Sequence, residues 1–153
     1  MRLKFFECLY EEMILNENIV FVTGDLGYFF ADKIKKDFPE RFINVGAAEV
    51  TMIGLGIGLA LQNKIAVCYS ITPFLLDRPF ESIKLYIDGE RIPVKLVGSG
   101  RGKDYEHDGA SHWESEFNFK NILHLRPEDK ELMPEIVKSM LYNGNPTYLN
   151  LKR

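Results

Sequence analysis

The stretch that decides the reading runs Phe42-Ile43-Asn44-Val45-Gly46-Ala47-Ala48-Glu49-Val50-Thr51-Met52-Ile53-Gly54-Leu55-Gly56-Ile57-Gly58-Leu59-Ala60. Residues 42–45 form a short strand pattern. Small residues then clear space, and Glu49 stands at the head of an apolar segment that reads as a helix over 49–61. Gly54, Gly56 and Gly58 lie inside that helix. Each costs about 1 kcal/mol relative to alanine. Such a cost is kept where another backbone or a ligand comes close. A glutamate in a first turn is, on its own, a favourable charge at the positive end of the helix dipole. The small residues before it and the glycines after it weaken that plain reading.

Working outward, helix-like and strand-like segments alternate. Residues 2–15 place Leu3, Phe6, Leu9, Tyr10 and Met13 on one helical stripe. Residues 18–23 are a β-branched strand closed by Gly24-Asp25-Leu26-Gly27, and 28–36 read as a helix ended by Pro39. Strand 65–70 is followed by a helix over 75–88, with Pro79 in its first turn or at a kink. Strand 92–97 leads into a polar, glycine-rich loop over 98–112, long enough to suggest a functional segment. Strands 121–125 and 147–151 flank a helix over 128–141, stopped by Asn143-Gly144-Asn145-Pro146.

This order predicts a single α/β domain over residues 1–153, a three-layer α/β/α arrangement around a mostly parallel six-stranded sheet. Ligands in such sheets gather at the carboxyl ends of the strands. The segments expected there are 24–27, 46–49, 70–74 and 98–112. The loops with unusual composition are therefore also the loops that should face a ligand.

Composition narrows the function classes. The 153 residues are 46% hydrophobic, enough for one sizeable core, with a formal net charge of -3. Neither value points to nucleic acid or to an anionic membrane as a partner. Cys8 and Cys68 match no metal-ligand or redox spacing and read as reduced, buried thiols of a cytoplasmic protein. No signal peptide is visible, and the longest mainly apolar stretch, 52–61, is too short to span a bilayer.

The central stretch resembles a motif of the transketolase family of thiamin-diphosphate enzymes, R-F-[IF]-[DN]-V-G-I-A-E-x-x-M-x-G-x-A-x-G-L-A, found in the pyrimidine-binding domain. The resemblance runs from about residue 18 to the end and implies the thiamin-diphosphate-binding fold. It makes Glu49 the catalytic carboxyl group, hydrogen-bonded to ring nitrogen N1′ of the aminopyrimidine in a dry site. It makes Phe74, in Tyr69-Ser70-Ile71-Thr72-Pro73-Phe74, the aromatic that stacks on that ring. Read as residue types alone, Phe74 is equally a core aromatic at a strand-to-helix junction. Ile71 and Asp77 stand where the family often has further aromatics, so Ile71 is expected to line the cofactor pocket. Asp25, in a segment similar to the family's A-D-L, is a further cofactor-pocket candidate beside its plain role in a turn.

Asp108-Gly109-Ala110-Ser111-His112 is similar to the family's D-G-P-T-H. The resemblance assigns Asp108 and His112 to the sugar hydroxyls, with His112 also assisting proton transfer. A histidine the family carries earlier in this loop is replaced near Gly100. Leu125-Arg126-Pro127-Glu128-Asp129 resembles R-P-A-D, and the stretch from Pro146 resembles P-[ST]-x-[IL]-x-L-x-R. Its last arginine, Arg153, matches a residue that often binds a sugar phosphate, and it is also a terminal residue free to fray.

The G-D-G segment and downstream asparagine of the family's diphosphate-binding domain have no counterpart here, so no residue is assigned to metal. The third domain has none either. The resemblance thus implies the C-terminal-section subunit of a split transketolase. A separate N-terminal-section subunit would supply the diphosphate site and Mg2+, in an α2β2 heterotetramer acting on a sugar, sugar phosphate or nucleotide sugar. The expected reaction transfers a two-carbon ketol unit from a ketose to an aldose. A split 2-oxo-acid decarboxylase, a deoxyxylulose-phosphate-synthase-like enzyme and a non-catalytic dimerisation or regulatory module are the alternatives.

Overall fold

The computed structural model describes residues 1–114 and 116–153. Its centre is one sheet of six strands, β1 (Ile19–Thr23), β2 (Phe42–Asn44), β3 (Ile65–Ile71), β4 (Lys95–Ser99), β5 (Leu123–Leu125) and β6 (Thr147–Leu151), in the order β2-β1-β3-β4-β6-β5. Every strand pairing is parallel. Parallel neighbours need crossovers, and these carry the helices onto both faces.

Alternation along the strands sorts the core into two layers. In β1, Ile19 and Phe21 join one cluster with Phe5, Leu9 and Met13 of α1 (Arg2–Leu15) and Met133, Val137 and Met140 of α6 (Met133–Tyr142). Val20 and Val22 join the other, with Met52 and Ile53 of α3 (Glu49–Leu61) and Leu75 and Leu76 of α4 (Thr72–Leu76). The three-layer α/β/α expectation therefore holds, with a sheet that is wholly parallel. Among the described residues, no helix is long and apolar enough to cross a membrane.

Several local boundaries differ from the sequence reading, among them β5, which starts at Leu123 and not at residue 121. The helix expected from residue 28 begins at Asp32, giving α2 (Asp32–Asp37), because Phe29 takes a left-handed φ of 66° that a helix cannot continue through. The helix expected over 75–88 starts earlier and breaks. After α4 come Asp77, Arg78 and Pro79, then a short helix α5 (Phe80–Ser82) that widens into a π-helical turn over Ile83–Gly89. The break falls at Pro79, which has no N–H to continue the ladder.

The strand expected over 92–97 lies at Lys95–Ser99, two or three residues later. Pro93 cannot donate to a ladder. Lys95 can enter the sheet because its ammonium escapes to Asn143 Oδ1 at 3.0 Å and the Asn145 carbonyl at 2.5 Å. At the end of the sequence, the helix expected from 128 opens as a 3-10 turn over Lys130–Leu132, with Asp129 accepting from the Glu131 N–H, before α6 begins.

The glycines of α3 have separate reasons. A Cβ at Gly56 would meet Cys68 Sγ at 2.6 Å and Val94 Cγ1 at 3.4 Å, so the helix lies on β3 at a distance only glycine permits. Gly54 and Gly58 have nothing within 4 Å of a Cβ. They open the outward face of α3, where Val50 and Leu61 are also exposed.

Candidate functional site

The carboxyl ends of β1 to β4 meet along one rim of the sheet, and the segments leaving them carry the candidate residues. From β2 the chain passes Gly46, at a φ of 74°, and turns into α3 at Glu49. Asn44 braces that turn. Its Oδ1 accepts from the N–H groups of Asp25 and Gly46, both at 2.9 Å, and its Nδ2 donates to Asp25 Oδ1 at 3.1 Å. One side chain thus ties the end of β2 to the segment leaving β1. This role was legible only as the general habit of Asn to bond nearby backbone.

Glu49 is 3% exposed, although it stands in a first turn where acidic side chains usually face water. A Cβ at Gly24 would lie 3.5 Å from Glu49 Oε1, so the absence of a side chain at 24 leaves the carboxylate its space. The other oxygen, Oε2, accepts from Arg78 Nη1 at 2.8 Å. The Arg78 guanidinium in turn lies over the Phe74 ring, its central carbon 3.7 Å from the ring centroid. Phe74 also meets the His112 ring, edge-on at 4.7 Å and 62°. Glu49, Arg78, Phe74 and His112 therefore form one continuous row across segments leaving three different strands.

Of the sequence candidates, Glu49, Phe74 and His112 are brought together. Arg78 completes the row and was not foreseen. Its nearest sequence signal was Pro79, which marks the break that lets residue 78 leave the helical path. Ile71 ends β3 and is half-buried immediately before α4. Asp25 sits beside Gly24 at a φ of 61°, exposed, with Oδ1 accepting from Tyr28 Oη at 2.5 Å. The Tyr28 hydroxyl, and then the Asn44 amide, hold its carboxyl below the ordinary aspartate range.

The long loop is anchored more firmly than its composition suggested. It starts at Gly100, with a φ of 92°, where a Cβ would run into the Tyr105 ring. Thr72 Oγ1 donates to the Gly100 carbonyl at 2.6 Å. Arg101, 8% exposed, points inward and donates to the Asn150 carbonyl, the Pro127 carbonyl and Glu128 Oε1. Asp108 is exposed at the far end of the loop. Arg153 does not reach the Glu49–His112 row in this arrangement. Its guanidinium donates to the Asp104 carbonyl at 3.0 Å and lies over Tyr105. Among the described residues, no group of three or more His, Cys, Asp and Glu side chains is placed to hold a metal ion.

An all-parallel α/β/α sheet thus carries at its carboxyl rim a buried carboxylate and an aromatic ring joined through one guanidinium. The chain belongs to the transketolase pyrimidine-binding domain family, which it matches over residues 1–153. It is 32% identical over 143 residues to a Methanocaldococcus jannaschii protein named as a transketolase C-terminal section, covering 90% of this chain and 45% of that one. It is 31% identical over 121 residues to an Actinobacillus succinogenes protein named as one subunit of an apulose-4-phosphate transketolase, covering 76% of this chain and 39% of the relative. A solved structure described as a split gene transketolase, inactive beta4 tetramer, superposes with a TM-score of 0.87 at 30% identity, over 99% of this chain and 50% of that one. The chain thus spans less than half the length of the two curated relatives.

Proposed function

We propose that this chain is the pyrimidine-binding subunit of a split, thiamin-diphosphate-dependent transketolase-type enzyme. It would move a two-carbon ketol unit from a ketose to an aldose, and only when a diphosphate-binding chain completes the site. One observation carries the reading: the buried Glu49 carboxylate and the flat face of Phe74 address the same space, bridged by a single guanidinium. Membership of a family named for pyrimidine binding supports it, as does likeness to a protein named as a transketolase subunit.

The residues fit the aminopyrimidine half of thiamin diphosphate. A buried carboxyl is matched to a ring nitrogen, an aromatic plate to the ring face, and side-chain-free Gly24 leaves the carboxylate room. When bound, the coenzyme supplies the nucleophilic carbon between the nitrogen and sulfur of its thiazolium ring. Glu49 holds a proton against N1′, and burial keeps water from competing for it. Phe74 fixes the plane of the ring, while Ile71 and Asp25 line the pocket around it. His112, held edge-on against Phe74, takes up and returns protons at the sugar hydroxyls, and Asp108 hydrogen-bonds them. Arg153 binds a substrate phosphate once it leaves Asp104.

The partner is a separate chain carrying the diphosphate and Mg2+ site, two copies with two of this one, in the cytoplasm. The outward face of α3, cleared at Gly54 and Gly58 and lined by exposed Val50 and Leu61, supports a seat for that chain.

The test reconstitutes purified chain with the product of the neighbouring reading frame, thiamin diphosphate and Mg2+, and follows cleavage of donor ketoses. Glu49→Gln, which keeps shape but cannot hold the proton in the same way, should lower kcat by about a hundredfold or more. A loss of only a few-fold would remove Glu49 from its assigned role. Turnover by this chain alone would remove the partner.

A further inference from the structure

The guanidinium of Arg78 occupies the two contacts that a pyrimidine would use. It is planar, it donates an N–H to Glu49 Oε2 at 2.8 Å, and it stacks on Phe74 at 3.7 Å. The aminopyrimidine of the proposed coenzyme is also planar, also meets the same carboxyl through a ring nitrogen, and also stacks on the same aromatic face. Both cannot be there together. We infer that Arg78 is a resident placeholder: in the free chain it fills the pyrimidine slot and satisfies Glu49, and it must swing out before a ring can enter. This rests on the reading of Glu49 and Phe74 given above.

The physical case follows from exposure. The Glu49 side chain is 2% exposed, and an ionised carboxylate that deep needs a hydrogen-bonded counter-charge. The Arg78 side chain is 44% exposed, so its stem already lies at the surface and rotation outward returns the charge to water. Arg78 lies in the break between α4 and α5, outside both helices, so its movement costs neither helix a turn. The Glu49 contact is with a charged donor, but half-exposure of the arginine weakens it. A competing ring should therefore lose about tenfold in apparent affinity to this occupant.

The consequence is a free chain that neither presents a bare buried carboxylate nor binds the coenzyme's pyrimidine half well on its own. Full binding energy becomes available only when further contacts, such as those of a partner and the diphosphate, add to the ring's own. Arg78 is thus a positioning residue for Glu49 and a gate on order of assembly.

The experiment uses the full chain and 4-amino-5-hydroxymethyl-2-methylpyrimidine as probe. Titration calorimetry compares wild type, Arg78→Ala and Arg78→Lys; the lysine keeps the charge but has no plane to stack. Arg78→Ala should bind the probe about tenfold more tightly than wild type, with Arg78→Lys between them. In parallel, the Arg78 side-chain NMR signals of the wild-type chain should be shifted upfield by the Phe74 ring. They should return to ordinary positions in Phe74→Leu and on saturation with the probe. Equal probe affinity in wild type and Arg78→Ala overturns the inference while leaving the pyrimidine site standing. So do Arg78 signals already at ordinary positions in wild type, a measurement that holds even if Arg78→Ala does not fold. No probe binding by either protein at millimolar concentration, with the Phe74 shift present, sinks the pyrimidine reading itself and this inference with it.

Discussion

Substituting Gly54 and Gly58 by alanine should stabilise the isolated chain, and the same change at Gly56 should not. The three residues are alike in sequence, so the prediction comes wholly from what each faces. At positions 54 and 58 an added Cβ meets nothing within 4 Å, and the backbone is already helical. Only the helix-propensity gain remains, about 1 kcal/mol at each position and about 2 kcal/mol together. For a chain of this size that raises Tm by about 4–8 °C. At position 56 the same gain opposes a contact with Cys68 Sγ at 2.6 Å and a tight one with Val94 at 3.4 Å. Overpacking of that kind costs about 1–3 kcal/mol, so Gly56→Ala should be destabilising by about 1 kcal/mol.

Thermal unfolding of the single and double variants, followed by circular dichroism, measures these shifts. A Cys68→Ala background supplies the internal check. With the sulfur gone, Gly56→Ala should become neutral or stabilising, a coupling of about 1–2 kcal/mol. The stabilised Gly54→Ala/Gly58→Ala chain should also assemble less well with the proposed diphosphate-binding chain, because two methyl groups now stand on the face proposed to receive it. A lower Tm for the Gly54/Gly58 variant, or no coupling between Gly56→Ala and Cys68→Ala, would refute the packing of α3 described here.

Two further outcomes test the frame around the site. Burial pushes the Cys68 thiol up to about 12 from an ordinary value of 9.0. The unfolded thiol therefore loses its proton first, and stability should fall as pH rises above about 9, by up to roughly 1.4 kcal/mol per unit. Denaturant titrations at pH 8 and pH 10 should show that slope reduced in Cys68→Ala. Arg101→Met should destabilise the chain by about 2–4 kcal/mol in urea unfolding, because it leaves the Asn150 and Pro127 carbonyls unpaired in the interior. It should also raise proteolytic cleavage within 100–112, which an arginine merely solvated at the surface would not do.

The layered sheet was legible because its signals are local and repeat. Val20 and Val22 on one face, Ile19 and Phe21 on the other, and a turn residue after each strand suffice to read an alternating α/β chain. Boundaries failed where one side chain overrode the pattern. Pro93 lies inside the strand expected over 92–97 and holds its start back to Lys95, whose ammonium is received only by the distant Asn143 and Asn145. Phe29 looked helical, and nothing local predicts its left-handed backbone. The candidate site was legible only as separate motif positions. Glu49, Phe74 and His112 were each found through a motif, as separate positions, whereas their adjacency is a property of the rim where three strands end.

Arg78 shows what motif reading leaves out. Its partner in the ion pair lies 29 residues away, and the geometry depends on a helix break that the apolar pattern smooths over. The Glu49 side chain, at the head of α3 beside Gly24, is 2% exposed, and the structure sets a hydrogen-bonded cation against it. That cation is Arg78, on the segment leaving β3. That the responding group is a planar guanidinium, seated on the same aromatic plate that suits a heterocycle, makes compensation and occupancy a single act. On the inference drawn above, the charge set against the buried acid in the free chain is the charge that an entering ring displaces.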